Sequence, residues 1–161
     1  MTILNPNAAA YADKVRLRVS GICIQDDKLL LVRHQATIAN NCFWAPPGGG
    51  LQFGETVEAC LQREFFEETG LQVAVKRFLF LNEFLQPPLH AIELFFEVQI
   101  LGGQAATGYD PESPADQQLI EEVAFLPMSE IRKIPQPDKH KILHYLINLD
   151  DLFGMTHQFA R

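Results

Sequence analysis

Three glutamates near the middle of the chain, Glu64, Glu67 and Glu68, have the spacing of side chains that share one face of an α-helix. Like charges at this spacing destabilise an isolated helix by about 0.2–0.5 kcal/mol per pair, and the helix dipole disfavours anions near the C-terminal end. Arg63 can pair with Glu67 one turn later, but one guanidinium cannot neutralise three carboxylates. The cluster therefore indicates a hard divalent cation bound through oxygen atoms, with Mg²⁺ or Mn²⁺ as the natural candidates.

The segment that must position these acids is predicted to be one helix from Thr56 to Thr69. Thr56 is a good N-cap because its hydroxyl can accept a hydrogen bond from an unpaired backbone N–H. Gly70 suits the left-handed residue that follows a helix. The acidic face continues into apolar positions one and two turns earlier, which are Val57, Cys60 and Leu61. A merely solvated acidic face explains this placement poorly.

A glycine-rich segment, Trp44-Ala-Pro-Pro-Gly-Gly-Gly50, precedes the predicted helix. Successive glycines let the backbone approach a ligand or a metal ion closely. The segment is not a Walker loop, because no Gly-Lys-Ser/Thr follows it, and its glycine spacing does not match a dinucleotide-binding fingerprint. It is interpreted as a second part of the same site.

Together the two segments satisfy every fixed position of the pattern G-x5-E-x7-R-E-U-x-E-E-x-G-U, in which U is a bulky apolar residue. The chain therefore resembles the Nudix hydrolases over Gly49 to Leu71. Phe65 is the one loose match, since Leu or Ile is more usual there. The matching residues are Gly49, Glu55, Arg63, Glu64, Phe65, Glu67, Glu68, Gly70 and Leu71.

The resemblance implies an α/β (α+β) fold, an α/β/α sandwich with a mixed β-sheet and a catalytic helix after the glycine-rich loop. It also implies metal-dependent hydrolysis of a nucleoside diphosphate linked to another moiety, with Mg²⁺ (or Mn²⁺) as the cofactor. Glu67 and Glu68 resemble the main metal ligands. Glu64 resembles a third ligand or the carboxylate that orients the attacking water, and the Gly49 carbonyl a further ligand.

Two roles stay open within this resemblance. Arg63 is expected to orient a carboxylate, either Glu67 or Glu55, rather than to touch the substrate. The general base varies among Nudix enzymes and sometimes comes from a later loop. Besides Glu64, the candidates in this chain are Glu112, Asp116, Glu121 and Glu122.

The substrate is constrained least. Pro87 stands at a spacing after the motif that resembles ADP-ribose pyrophosphatases, although a strand break explains Pro87-Pro88 equally well. ADP-ribose or a sugar nucleotide is favoured, and a nucleoside triphosphate or an oxidised nucleotide is the alternative. The distant alternative is a non-catalytic Nudix-fold domain that binds nucleotides or regulates. It is disfavoured because such a domain would be expected to lose acids from the motif.

Length and composition bound the remaining choices. The chain has 161 residues, of which 47% are hydrophobic, so one domain over residues 1–161 is predicted, with residues 1–13 as a loose N-terminal arm. The net charge of −7 argues against nucleic acid as a partner, and a small nucleotide-type molecule is expected instead. No signal peptide or membrane-spanning run is found, so a cytoplasmic location without membrane association is expected. Many Nudix proteins are dimers, so a homodimer is also considered.

The rest of the chain is predicted to form strands and short helices around this site. Residues 16–24 and 28–33 are predicted to pair as a hairpin around Asp26-Asp27. Residues 34–42 are predicted as a polar loop. The later elements are strands over 72–84, 90–101 and 119–126, a polar loop over 105–118, a short helix over 127–133 and an amphipathic helix from Pro137 with the stripe Ile142, Leu143, Leu146 and Ile147.

Three side chains raise alternatives about substrate contacts. Arg33 and His34 could meet an anionic substrate, and nothing in the sequence decides it. His34 is favoured as a loop residue over a catalytic base. Phe95 lies on the mixed face of its strand, where it could stack on a base, but packing in the core is favoured.

Overall fold

The computed structural model describes residues 10–35, 42–108 and 120–160. Within these ranges, strands alternate with two α-helices, and three short 3₁₀-helices follow. The strands are β1 (Lys14–Ile22), β2 (Ile24–Gln25), β3 (Lys28–Gln35), β4 (Cys42–Ala45), β5 (Gly48–Gly50), β6 (Leu71–Gln86), β7 (Leu89–Gly103) and β8 (Ile120–Pro127). The α-helices are α1 (Val57–Thr69) and α2 (Met128–Lys133), and the 3₁₀-helices are Gln136–Asp138, Lys141–Leu143 and Leu149–Phe153.

Two β-sheets form the centre of the molecule. In the first sheet the strand order is β5-β1-β7-β6, with β1 parallel to β7 and the other neighbours antiparallel. In the second sheet, β3 pairs antiparallel with β2, β4 and β8. This mixed arrangement of sheet and few helices confirms the α+β fold class.

The two sheets are covered on both sides by apolar clusters. Leu29 and Leu31 of β3 belong to one cluster, and Leu30 between them belongs to the other. The first cluster also contains Phe95, which is 1% exposed, so the prediction of core packing for this residue is confirmed. Its cover comes from α2 and the C-terminal 3₁₀-helices. The second cluster is covered by helix α1 through Cys60, Leu61 and Phe65.

The predicted hairpin of residues 16–24 and 28–33 is wrong in its first strand. Every residue of β1 pairs with β7, and only Ile24 and Gln25 pair with the start of β3. The turn itself is confirmed, with φ angles of 50° and 57° at Asp26 and Asp27. Alternation of apolar residues is a local signal, and it cannot show that a distant strand offers β1 a longer register.

The predicted amphipathic helix from Pro137 is also wrong, because 3₁₀-helices take its place. Ile147 is 76% exposed, whereas the rest of the predicted stripe is buried, namely Ile142, Leu143 and Leu146. Lys139 is extended, with φ −142° and ψ 153°, and the His140 N–H donates to the Trp44 carbonyl at 2.8 Å. This contact with β4 holds the backbone out of the helical conformation.

The other predicted elements agree with β6, β7, β8 and α2. The polar loop predicted over 34–42 is wrong at its ends, because His34 lies in β3, opposite Phe43 and Ile120, and Cys42 begins β4. Most of the loop predicted over 105–118, and of the arm predicted over 1–13, lies outside the described residues. Across the described part of the chain, no helix has the length and apolar character needed to cross a membrane.

Candidate active site

Helix α1 begins and ends where the sequence predicts. The Thr56 hydroxyl accepts a hydrogen bond from the Ala59 N–H at 3.1 Å, and Gly70 follows the last helical residue with φ 73°. The Gly70 N–H donates to the Phe66 carbonyl at 2.9 Å, which satisfies one of the carbonyls left unpaired at a helix end. The buried face of Cys60, Leu61 and Phe65 then fixes the direction in which the acids leave the helix.

The Arg63 guanidinium lies at the centre of the acidic cluster. Its Nε and Nη2 donate to the two Glu55 carboxylate oxygens at 2.7 and 3.1 Å. Its Nη1 donates to Glu64 at 2.8 Å and to Glu67 at 3.2 Å. The hydrogen bonds from Arg63 to Glu55 outweigh partial burial and, with Glu64, raise the pKa of the guanidinium. Arg63 thus contacts both carboxylates that the sequence analysis considered for it.

The Glu64 carboxylate packs against the backbone of Gly49. A Cβ atom at Gly49 would lie 2.2 Å from the Cδ and Oε1 atoms of Glu64, so a side chain at this position would displace the acid. Burial raises the pKa of Glu64, an effect that Arg63 partly offsets and Glu67 reinforces. The charged form of Glu64 is therefore disfavoured until another cation approaches.

The glycine-rich segment also contacts Glu68. Strand β5 contributes the Gly48 N–H, which donates to Glu68 Oε2 at 3.0 Å. Strand β5 lies antiparallel to β1, with Gly49 opposite Val19. The structure therefore brings the glycine-rich segment and the acidic helix together.

The chemistry of this cluster fits a hard divalent metal ion. Among the described residues, no three acidic, imidazole or thiol side chains are arranged as ligands of one ion. Nη1 of Arg63 lies between Glu64 and Glu67 and is the cation that they share. Carboxylate oxygens are nevertheless the ligands that Mg²⁺ and Mn²⁺ prefer.

A cavity of about 470 Å³ lies beside the glycine-rich segment. Pockets of roughly 300–1,000 Å³ hold small organic ligands in many proteins. Arg18 connects the cavity to β5, because its Nη2 donates to the Gly48 carbonyl at 3.5 Å and its Nε lies 3.8 Å from Glu93. The lining residues are Arg16, Arg18, Ser20, His34, Phe43, Ala45, Pro46, Phe84, Gln86, Leu89, His90, Ala91, Glu93, Phe95, Pro137 and His140.

Glu93 is the one acidic side chain among the described residues that line this cavity. It is 8% exposed, and its Oε2 accepts hydrogen bonds from Asn82 at 2.6 Å and from His140 at 2.8 Å. Burial alone would raise the pKa of Glu93, but His140, Arg18 and Asn82 together outweigh it and lower the pKa to about 2. Glu93 is therefore ionised at neutral pH.

His34 also lines the cavity. Burial lowers the pKa of His34 to about 4, and the neighbouring Arg18 and His140 side chains act in the same direction. A neutral imidazole can donate or accept a hydrogen bond but carries no positive charge. His34 can therefore contact a substrate, although not as a cation that attracts phosphate.

Arg33 and the later acids lie in a different environment. Arg33 Nε lies 3.4 Å from Glu121 and its Nη2 lies 3.3 Å from Glu122, so these three residues form a separate ion-pair group. Neither acid has a described contact with the cluster around Arg63. The other two candidates for the general base, Glu112 and Asp116, fall outside the described residues.

Sequence analysis did not identify four polar residues of the cavity, Arg16, Arg18, Glu93 and His140. In β1 the two arginines occupy alternate positions and are half-buried, while Leu17 between them is 39% exposed. The sequence shows this alternation but not which side is buried. A strand normally places its apolar side chains inside and its polar ones outside. A polar cavity inverts that rule, and the inversion can be recognised only when the neighbouring strands are known.

An acidic helix beside a glycine-rich strand, on a two-sided mixed sheet, defines the class of hydrolase that the motif resembled. The chain belongs to the NUDIX family, since a model of the NUDIX domain matches residues 14–146.

Among the curated relatives of this chain, two match it over the following parts. It is 38% identical over 94 residues to an ADP-ribose pyrophosphatase of Methanocaldococcus jannaschii, which covers 57% of this chain and 55% of the relative. It is 41% identical over 71 residues to a MutT-like protein of Streptomyces ambofaciens, which covers 44% of each chain. The chain thus spans about half the length of these curated relatives.

Solved structures support the same fold. A NUDIX hydrolase from Nitrosomonas europaea superposes with a TM-score of 0.64 at 24% identity, covering 81% of this chain and 83% of that one. A UDP-X diphosphatase superposes with a TM-score of 0.64 at 21% identity, covering 97% of this chain and 76% of that one. An ADP-ribose pyrophosphatase from Streptococcus suis superposes with a TM-score of 0.60 at 19% identity, covering 90% of this chain and 98% of that one. At these identities the likeness concerns the fold alone.

Proposed function

We propose that this protein hydrolyses a nucleoside diphosphate linked to another moiety, with ADP-ribose or a sugar nucleotide as the favoured substrate and Mg²⁺ or Mn²⁺ as the cofactor. The observation that carries the proposal is the continuity between the acidic cluster and the cavity through Gly48 and Arg18. The cluster would act on the diphosphate, and the cavity would hold the organic part of the substrate. A reacting centre beside a recognition pocket is the arrangement expected of an enzyme site.

The metal ligands in this proposal are Glu67 and Glu68, with Glu64 and the Gly49 carbonyl in support. When bound by these residues, a divalent ion would supply positive charge against the phosphate oxygens and would lower the pKa of a nearby water. Glu64 serves as a third ligand or orients the attacking water, and burial raises its pKa, which is the direction that makes a carboxylate a stronger base. Arg63 holds the carboxylates in position and does not contact the substrate.

The two arginines of β1 are proposed to bind phosphate oxygens. Arg16 and Arg18 line the cavity on the strand next to β5. Their guanidinium groups match the geometry of phosphate oxygens and keep their charge at any physiological pH. The substrate would then lie with its phosphates across β1 and β5 and its organic group deeper in the cavity.

The substrate class is supported by the ADP-ribose pyrophosphatase among the relatives, over the part of the chain that matches. The MutT-like relative keeps a nucleoside triphosphate or oxidised nucleotide as the second candidate. A non-catalytic Nudix-fold domain remains the distant alternative. It is disfavoured by the presence of all three acids and of Arg63 in contact with two of them.

Hydrolysis of a nucleotide panel with Mg²⁺ would test the proposal. The panel holds ADP-ribose, sugar nucleotides, dinucleoside polyphosphates, NADH, and normal and oxidised nucleoside triphosphates, with product phosphate released by a coupled phosphatase. We expect one diphosphate substrate to be turned over fastest, and Glu67→Gln or Glu68→Gln to lower its turnover by orders of magnitude. Glu58→Gln, an exposed change in the first turn of the same helix, is the matched control. Near-normal turnover in Glu67→Gln or Glu68→Gln would refute the metal-site assignment.

Metal binding can be tested without turnover. An ion that binds only the folded state raises the unfolding temperature, so we expect millimolar Mg²⁺ to raise it relative to EDTA. The increase should disappear in Glu67→Gln and persist in Glu58→Gln. An equal increase in both variants would place the ion elsewhere.

The setting of the proposed reaction follows the sequence-based expectations. We propose a cytoplasmic enzyme whose partner is a small nucleotide-type substrate, without nucleic acid or membrane association. A homodimer stays a prediction, and light scattering at several protein concentrations would test it.

A further inference from the structure

The cavity contains a carboxylate oxygen with unused acceptor capacity. Glu93 Oε2 accepts two hydrogen bonds, from Asn82 and His140. Glu93 Oε1 has a single charged neighbour in the described chain, Arg18 Nε at 3.8 Å, which is too far for a hydrogen bond. An ionised carboxylate oxygen can accept more than one hydrogen bond, and this one faces the cavity. A donor on a bound molecule could therefore bond to it.

The geometry of this acceptor is fixed before any ligand binds. Asn82 is fully buried and His140 is 8% exposed, and both donate to the same oxygen of Glu93. The backbone N–H of His140 is itself held by the Trp44 carbonyl at 2.8 Å. An acceptor held in this way pays little entropy when a ligand arrives. Because it is ionised, Glu93 offers acceptors and no donor.

The walls of the cavity favour a flat, partly apolar group. Phe43, Phe84 and Phe95 line it. Phe95 is kept in place by stacking on Phe80, with ring centroids 4.8 Å apart, and by an edge contact with His140 at 5.6 Å. Aromatic surfaces beside a fixed carboxylate acceptor suit a flat heteroaromatic ring that carries an N–H donor.

We propose that the cavity binds the nucleobase of the substrate and that Glu93 Oε1 determines specificity by accepting an amino or imino N–H from the base. This inference rests on the proposed function and adds the part of the substrate that is recognised. A base with only acceptors at that edge would be rejected, because its lone pairs would face those of the carboxylate. Glu93 is therefore a specificity residue and not a catalytic one.

Equilibrium binding of nucleoside 5′-monophosphates to the full chain with Mg²⁺, measured by calorimetry, tests this inference. Three pairs of probes each differ in one group. AMP and purine riboside 5′-monophosphate differ in the 6-amino group, GMP and IMP in the 2-amino group, and AMP and dAMP in the sugar hydroxyl. For the preferred base, we expect loss of the amino group to weaken binding about tenfold to a hundredfold, as for a hydrogen bond to a charged group. Loss of the sugar hydroxyl should weaken it less.

Glu93→Gln should abolish this discrimination. Asn82 and His140 both donate toward the Oε2 position, so the amide oxygen is drawn there and the amide NH₂ faces the cavity. The amide NH₂ would then face the N–H donor of the base. The ratio of binding affinities between the nucleotide with the amino group and the one without it should therefore fall to about one or invert. Glu97→Gln is the matched control, because Glu97 lies on the same strand β7 and pairs with Arg77, and neither of these two residues lines the cavity.

The outcomes separate this inference from the proposed function. If the protein hydrolyses a nucleotide but binds both members of each probe pair equally well, the inference about Glu93 is overturned and the proposed function stands. Base-dependent binding that Glu93→Gln removes, without hydrolysis of any panel member, would support the inference and reject the proposed activity. If dAMP loses more affinity than the purine nucleotides without an amino group, Glu93 binds the sugar and not the base. That result would also overturn the inference. If Glu93→Gln does not fold, the probe series on the unmodified protein decides.

Discussion

Glu64 is held from two sides by contacts of opposite electrostatic effect. Arg63 donates to its carboxylate at 2.8 Å and stabilises the charge. The close packing on Gly49 removes water from the same carboxylate and disfavours the charge. The position of this acid is therefore obtained at some cost in the stability of the metal-free protein.

Gly49→Ala is expected to lower kcat/KM by about a hundredfold, since displacements of about 1 Å in a reacting centre have effects of that size. The new Cβ atom would lie 2.2 Å from the Glu64 carboxylate, so the acid or the strand must move. Steady-state kinetics on the best substrate of the panel measures the effect. Gly154→Ala is the control, because a Cβ atom there has nothing within 4 Å. Equal rates in the two variants would show that the contact with Gly49 is dispensable.

Glu64→Gln is expected to raise the unfolding temperature in EDTA at neutral pH, and Glu55→Gln to lower it. The folded-state pKa of Glu64 is raised, so its ionisation costs stability as the pH rises through that pKa. The pKa of Glu55 is lowered, chiefly by the hydrogen bond from Arg63, so its ionised form adds stability above the unfolded pKa that is lost as the pH falls through the folded one. Scanning calorimetry from about pH 4 to 8 tests both signs. Shifts in the same direction would contradict this account.

At the scale of elements, helix α1 stands apart because local signals define it. Its N-cap at Thr56 is expected to contribute about 1 kcal/mol to the free energy of unfolding. Thr56→Ala should lose that amount and Thr56→Ser should keep most of it, since the serine hydroxyl can still accept from the Ala59 N–H. Urea unfolding measures the difference. Equal stability of the two variants would mean that packing alone holds this end of the helix.

The difference between local signals and long-range contacts explains what the sequence could predict. Capping at Thr56, the left-handed residue at Gly70 and the acidic spacing are local, so the helix and its motif were predicted to the residue. The partner of β1 depends on β7, which lies far along the chain, and the extended turn before the last apolar residues depends on a bond from His140 to Trp44. The acidic half of the candidate site was therefore predictable. The cavity, which is assembled from distant strands, was not.

At the scale of the whole molecule, Glu93 should contribute to resistance against acid. Its folded-state pKa is about 2, against an ordinary value of 4.5, so its contribution to stability is complete above about 4.5 and is lost as the pH falls toward 2. Unfolding by urea at a series of pH values, in the unmodified protein and in Glu93→Gln, measures this contribution. The stability difference between the two should shrink across that range. A difference that does not vary with pH would contradict the assignment.

Three polar contacts in series join Glu68 to Glu93, from Glu68 to Gly48, from Gly48 to Arg18 and from Arg18 to Glu93. Under the proposed function, this series of contacts would fix the distance between the bound base and the phosphate bond that is hydrolysed. Its length would set the number of phosphates between the base and the cut. A nucleotide with a longer phosphate bridge would then be cut at the same count from its base, and only the fragment released beyond the cut would grow.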